Sequence, residues 1–411
     1  MDRAVFRLIL LTSLAHALVH VLELALPGVE QLIGEEYGVG REWTGLLGTA
    51  WRMPFGMGAL LAGWLADRYG SRRLLVIYLL GSAVTCAMAA WSTSLAMVFV
   101  SMFSMGCFAS IYHPAGLSLI SRETTAANRG QALGWHGIIG SIGIASAPFL
   151  AGVFFSTGQV TWRQYYLVLA VPAVGLAVLL HRTLRETDRH TDGSQQAPAG
   201  QPASAGGASP DKLTNPVSEK RWPAFLVLVS VGALSGMIYG AFMHFLPRYL
   251  DGSGLQLRGA APAGFRNLLA AVVLGCGIFG QAISGRLARP GSLEKQLAIV
   301  LLANVPCLLW MAAADGSARL WATCLLALVH FMNQPLYNSL IAQLVPRHRR
   351  SVGYGFSNMV SFGLGAFGPA WAGFAGSNEV VYGGLAVQAL VSSGLCLVLA
   401  RMTGRLTADL D

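Results

Sequence analysis

Apolar runs long enough to cross a bilayer, about 20 residues each, recur near 5–26, 43–66, 74–91, 95–119, 131–155 and 163–181. After a polar interval they resume near 223–246, 263–287, 294–313, 318–342, 352–375 and 380–400. The pattern predicts an all-α membrane protein with twelve transmembrane helices in two groups of six. Trp43, Trp91, Trp162, Trp222 and Trp321 fall near the predicted ends, where an indole prefers to sit. The interval from Arg182 to Arg221 opens with Arg, Glu and Asp and is Gly/Ser/Pro/Ala/Gln-rich from Gly193 to Pro210. Such a stretch cannot bury a core and reads as a linker. The expected organisation is an N-terminal bundle over 1–182, a flexible cytoplasmic linker over 183–222, a C-terminal bundle over 223–400 and a cytoplasmic tail over 401–411.

The halves repeat. At an offset of 221 residues Pro114 meets Pro335, Gly134 meets Gly355, Arg129 meets Arg350 and Pro148 meets Pro369. Ser118-Leu119-Ile120 meets Ser339-Leu340-Ile341. A constant offset over consecutive spans indicates two bundles descended from one ancestral half.

Composition supports the bilayer as solvent. The chain is 54% hydrophobic and 11% charged, with mean hydropathy +0.55, against about 25% charged in a soluble domain. Net charge is +9, and its placement matters more than its size. Of 28 Lys and Arg, only Arg41, Arg163, Arg248, Arg258, Arg266 and Arg319 fall in one set of predicted loops. Arg52 lies inside a span, and the rest flank the opposite ends. The positive-inside rule then places both termini in the cytoplasm, which excludes nucleic acid as the reason for the basic pI. The six cysteines all lie in apolar runs without a C-x-x-C pair, so neither a disulfide frame nor a zinc site is expected.

Between the second and third runs stands Gly63-Trp64-Leu65-Ala66-Asp67-Arg68-Tyr69-Gly70-Ser71-Arg72-Arg73. Its two glycines suit a sharp turn, and Asp67 can pair with an arginine or a helix end. A charged stop-transfer loop is the plainer reading. The stretch resembles the G-x-L-A-D-R-x-G-x-R-R loop of the major facilitator superfamily. The resemblance implies two bundles that rock about a central cleft, with Gly63, Asp67, Arg68, Gly70, Arg72 and Arg73 as a conformational hinge.

Ser13-Leu14-Ala15-His16, the run from Ala109 to Pro114, Arg129-Gly130-Gln131-Ala132 and Ala147-Pro148-Phe149-Leu150-Ala151 resemble the fosmidomycin-resistance branch of that superfamily. This implies an inner-membrane exporter that exchanges a drug for protons. Ala115 stands where the branch tends to have Glu, and Met102 where many drug/proton antiporters have Arg. The fifth span carries Gly140, Gly143 and Pro148, and the eleventh Gly365 and Pro369. These resemble the glycine–proline motif of antiporters, although close helix packing alone would select them.

Candidate chemistry sits inside the spans. His16, His20 and Glu23 share one helix face, at i, i+4 and i+7. Glu23 is the one carboxylate expected within a span, and an intramembrane charge usually faces a cavity or a partner. The set is able to take up and release protons. The alternative puts Glu23 in the outer headgroup zone and leaves the histidines as interhelix hydrogen bonders. Arg52, beside Pro54, would clamp an anion or pair with Glu23. Tyr112-His113-Pro114 and its repeat mate Asn333-Gln334-Pro335, followed by Asn338, suit cavity-lining broken helices, or polar glue. His136, His244 and His330 are lone intramembrane histidines, and His244 is the repeat mate of Glu23.

The leading expectation is a proton-coupled exporter of a small organic compound. Rival readings are uptake of a small organic anion, divalent metal transport through His16, His20, Glu23 and His113, and a membrane receptor or scaffold. No cofactor, resident metal or nucleic acid is expected, and the chain is expected to act as a monomer. G-x-x-x-x-G-K-[ST] is absent and no loop carries a nucleophile–base set, which argues against ATP drive and against an enzyme.

The charge bias generates a topology prediction. A cysteine introduced at position 204 of the linker should escape an impermeant thiol reagent in intact cells and react after permeabilisation. Labelling in intact cells would invert the orientation.

Overall fold

The computed structural model describes residues 3–125, 128–192, 216–289, 291–346 and 350–408. The Gly193–Pro210 part of the expected linker, position 204 and the last residues of the tail lie outside these. The described residues of the N-terminal half form α1 (Arg3–Tyr37), α2 (Arg41–Tyr69), α3 (Ser71–Ala90), α4 (Leu95–Ala109), α5 (Tyr112–Glu123), α6 (Arg129–Phe155) and α7 (Trp162–Asp192). Those of the C-terminal half form α8 (Pro216–Asp251), α9 (Pro262–Leu287), α10 (Leu293–Ala313), α11 (Ala318–Phe331), α12 (Asn333–Leu344), α13 (Arg350–Gly365), α14 (Phe367–Ala375) and α15 (Asn378–Ala408). α7 and α8 therefore run into both ends of the 183–222 interval.

Three predicted spans are each split in two: α4–α5 at Ser110–Ile111, α11–α12 at Met332 and α13–α14 at Ala366. Counting each pair as one crossing leaves twelve transmembrane helices, six per bundle. Among the described residues, nine crossings are long and apolar enough alone to span a bilayer. The first two breaks precede Pro114 and Pro335, whose missing N–H cannot bond four residues back. They are repeat mates, so the symmetry seen in sequence is also a symmetry of interruption.

The bundles hold together by shape more than by hydrophobic drive, since lipid tails are as apolar as leucine. Large apolar side chains such as Val171, Phe279 and Ile299 stay exposed to that solvent, while small residues face other helices. A Cβ on Gly143 would meet the Ala17 backbone, and one on Gly365 would meet Gly236. Pro148 lies inside a continuous α6, whereas its mate Pro369 follows the break at Ala366. The difference has a local cause. Thr49 of α2 donates its hydroxyl to Ala366 O at 2.7 Å and accepts from Ala370 N at 3.2 Å. A side chain of the other bundle thus stands where the helical 370-to-366 bond would be.

Three sequence expectations need correction. The first span does not end near Leu26: α1 continues through Pro27 to Tyr37, because Pro is tolerated where neighbouring helices satisfy the freed groups. Here Asn267 donates to Gly28 O at 3.0 Å. Glu23 is consequently not the one carboxylate in a span, since Glu30 follows on the same helix at 1% exposure. Arg248 and Arg266 are not loop residues but lie in α8 and α9, where acidic partners replace water. Finally, Gly63 is no turn residue. It is helical, and a Cβ on it would lie 3.6 Å from Pro114, while Gly70 alone turns the chain, at φ +91°.

Polar contacts between the bundles gather at the face opposite the termini. Glu30 receives two hydrogen bonds from Arg248, both 2.7 Å. Gln31 donates to Asp251 at 3.2 Å, Arg41 donates to Gly376 O and Ser156 O accepts from Ala261 N. Removing Glu30 leaves Arg248 short of its partner, at a cost of about 1–3 kcal/mol to this closed face. Disulfide cross-linking between cysteines placed at Gln31 and Asp251 should therefore fall severalfold when Glu30→Gln is added. Unchanged cross-linking would show that the face closes without the pair.

Candidate functional site

A cavity of about 530 Å³ lies between the bundles. It reaches from Glu23 on α1 to Tyr354, one turn into α13 at the face that carries the termini. Its N-terminal wall holds four histidines and a carboxylate: His16, His20, Glu23, His113 and His136. Its C-terminal wall is mostly amides and hydroxyls, with Ser235, Asn333, Gln334, Asn338 and Asn358, and adds a single histidine, His330.

The histidines and the carboxylate form one chain of contacts. Glu23 is 3% exposed, a position where an uncompensated carboxylate is untenable. Arg52 Nη1 stands 3.0 Å from its Oε1, and His20 Nδ1 stands 2.9 Å from its Oε2. Arg52 also lies over the Tyr239 ring of α8, 5.2 Å from its centroid. From His20 the chain continues through Nε2 to His16 Nε2 at 3.2 Å, and His16 Nδ1 donates to the backbone carbonyl of His136 at 2.9 Å. The His16 ring packs nearly parallel to those of His136 and Tyr112, at 4.2 and 5.1 Å. Ring nitrogens of His16, His20 and His113 lie within 4.8 Å of one another, so the cluster could also receive a divalent cation.

The anticipated residues thus divide. His16, His20, Glu23, His113, Asn333, Gln334 and Asn338 line the cavity. Arg52 sits behind Glu23 instead of on the wall. Tyr112 is fully buried and donates to Thr12 O at 2.7 Å. His244 is buried away from the cavity and donates to Thr44 O at 2.8 Å. Asn333 donates to Ser235, and Gln334 accepts from Gln281.

Residues 10–369 match the model of the Major Facilitator Superfamily. The chain belongs to the Major Facilitator Superfamily. It is therefore a membrane-embedded transporter of small molecules and not an enzyme. It is 33% identical to the puromycin resistance protein pur8 of Streptomyces alboniger over 172 residues, 42% of this chain and 33% of that protein. The match thus spans about a third of that relative's length. It is 23% identical to a probable L-galactonate transporter of Escherichia coli (strain K12) over 361 residues, 83% of this chain and 76% of that one. Among solved structures, an inward-facing, unoccupied bacterial homolog of the human lysosomal transporter Spinster superposes with TM-score 0.72 at 14% identity, covering 98% and 96% of the two chains.

The superfamily's charged loop joins α2 to α3 and is tied to α5. Asp67 Oδ1 accepts from Arg122 at 2.9 Å, with both side chains exposed, and Arg72 pairs with Glu123. Arg68 lies over Trp64 and Tyr69, and Arg73 is exposed. Sequence reasoning missed Tyr239, Ser235, Asn358 and Ser361 on the C-terminal wall. The available signal was Gly232, Gly236 and Gly240, spaced one helical turn apart on α8. A Cβ on Gly232 would meet the Tyr337 hydroxyl and Ser361, so α8 must lie close there.

Gly140 does the same for the histidine chain. A Cβ on it would lie 2.3 Å from both Cε1 and Nδ1 of His16, whose ring is held by the carbonyl of His136. Gly140→Ala should displace that ring and cost about 1–3 kcal/mol through overpacking. Thermal unfolding in detergent should register the loss, and the His16 ring resonances should move. An unshifted midpoint with unshifted resonances would refute the packing role.

Proposed function

We propose that this transporter exports a small organic compound in exchange for protons, by alternating access of its two bundles. The observation that carries this reading is the unbroken His16–His20–Glu23 chain on the cavity wall, backed by Arg52. A protonatable set beside the cavity is what coupling substrate to protons needs. The glycine-rich face of α6, the likeness to fosmidomycin-resistance proteins and the relative named for puromycin resistance support export and antiport.

In the proposed orientation both termini and the 183–222 linker lie in the cytoplasm, and the protein sits as a monomer in the inner membrane. The cavity then opens inward, with the Glu30–Arg248 face closed outside. The hinge from Gly63 to Arg73, braced on α5 by Asp67–Arg122, steadies one facing state. His113, Asn333, Gln334 and Asn338 contact substrate. Tyr112 and His244 act as supports. Gly140, Gly143, Pro148, Gly365 and Pro369 set the packing on which rocking depends.

A second reading, uptake of a small organic anion, has its own support. Arg52 Nη2 is buried without a partner, and the relative matched over 83% of this chain is named for L-galactonate.

Proteoliposomes under an imposed pH gradient separate the two, with fosmidomycin, puromycin and L-galactonate as probe solutes. Glu23→Gln should cut proton-driven accumulation about tenfold or more at neutral pH, equivalent to about 1.4 kcal/mol of coupling, while gradient-free exchange persists. Normal accumulation in this variant would falsify the role of the chain. Accumulation of L-galactonate alone, along the proton gradient, would favour the second reading.

A further inference from the structure

The contact between His16 and His20 fixes a proton count. His16 Nδ1 lies 2.9 Å from the carbonyl oxygen of His136, which can only accept, so Nδ1 carries the hydrogen. In a neutral ring, His16 Nε2 is then a bare lone pair. His20 Nδ1 lies 2.9 Å from Glu23 Oε2. With Glu23 ionised against Arg52, that nitrogen is also a donor, and Nε2 of a neutral His20 is bare as well. Yet the two Nε2 atoms are 3.2 Å apart. Two lone pairs do not face each other at hydrogen-bond distance, so a hydrogen stands between them. The arrangement holds one proton more than ionised Glu23 with two neutral rings.

We infer that the exchanged proton is carried as an N–H···N bridge between His20 and His16, with ionised Glu23 as its positioning counter-charge. This rests on the proton-coupled reading above and moves the carrier from the carboxylate to the imidazoles. The step is balanced: one proton binds at Nε2 from the cavity and leaves the same way, with no other bond made or broken. The groups facing the pair are Glu23 on α1, Arg52 on α2, Tyr112 and His113 on α5, and His136 on α6. Tyr78 of α3 stands behind Tyr112, and Tyr239 of α8 stands behind Arg52. Among these Glu23 is the one anion and Arg52 the one permanent cation.

The two rings are not equivalent. His16 is buried, stacked on His136 and pressed against Gly140. His20 is partly exposed to the cavity. When the proton leaves, the opposed lone pairs push the rings apart, and His20 is the one free to turn. Proton release therefore frees His20, which lines the cavity, to turn away from His16.

Full-length protein with nitrogen-labelled histidine, reconstituted in nanodiscs, tests the bridge directly. One pair of ring nitrogens should show scalar coupling across the hydrogen bond at low pH and lose it as pH rises. The coupling should vanish in His20→Gln and in His16→Gln. Glu23→Gln should keep it, but only at lower pH than the wild type, because the counter-charge is gone. In pH-gradient assays with the probe solutes above, His20→Gln should exchange solute yet fail to accumulate it at any pH, whereas acidification should rescue Glu23→Gln. Absence of coupling in folded protein at every pH would overturn the bridge, as would normal accumulation by His20→Gln. Zinc added alone, if it shifted both Nε2 resonances where no pH change does, would also overturn it in favour of a metal site. A bridge in a wild-type protein that moves no protons with solute would instead sink the coupling reading and leave the bridge standing.

Discussion

A carboxylate at the depth of Glu23 cannot stand alone, and much of the N-terminal bundle is arranged around that fact. Its compensation comes from two sides: Arg52 on the neighbouring helix and His20 one turn back. Each compensator imposes its own requirement. Arg52 needs α2 close to α1, and its guanidinium rests on Tyr239 of the other bundle. His20 needs a partner for its far nitrogen, which brings in His16. His16 in turn needs an acceptor on α6 and a missing Cβ at Gly140. One buried charge thus fixes the approach of several helices and reaches across the cleft. Ion pairs at such depth add little net stability over apolar packing, so their use lies in what they permit the charge to do.

Much of the architecture was legible in the sequence because it is periodic or local. Apolar run lengths give the twelve crossings, the 221-residue offset gives the two bundles, and Pro114 and Pro335 mark the breaks. The i, i+4, i+7 spacing of His16, His20 and Glu23 predicts a shared face, and they share one. Illegible were the contacts between segments far apart in the chain. Glu30 reads as a residue outside the membrane once Pro27-Gly28 is taken as a helix end, and only Arg248, more than 200 residues away, shows why it can be buried. Tyr112 and His244 carry the same polar signal as His113, yet point into packing instead of the cavity. Polarity says that a side chain needs a partner and does not say whether that partner is a ligand or a backbone carbonyl.

The two walls of the cavity differ in kind. The N-terminal wall carries the carboxylate and four histidines, and the C-terminal wall offers amides and hydroxyls with a single histidine, His330, among them. Duplication supplied both halves with the same helical frame, including matched interruptions. The chemistry has since diverged, with Glu23 answering to His244 and Tyr112-His113 to Asn333-Gln334 under the repeat. A fold of this type can therefore change its solute on one wall without disturbing the ionisable network on the other.

Thr49 gives the seam between the bundles an unusual property. Its hydroxyl completes the bonding of Ala366 and Ala370, two groups of a helix to which it does not belong. In most interfaces, parting the surfaces strands donors and acceptors in a medium that cannot satisfy them. Here the groups left behind are each other's natural partners, separated by one helical turn. Withdrawal of the threonine leaves Ala370 N–H and Ala366 O free to bond each other, while Pro369, which has no N–H for Gly365 O, keeps the helix bent there. The seam can therefore part at this point without stranding a backbone donor or acceptor.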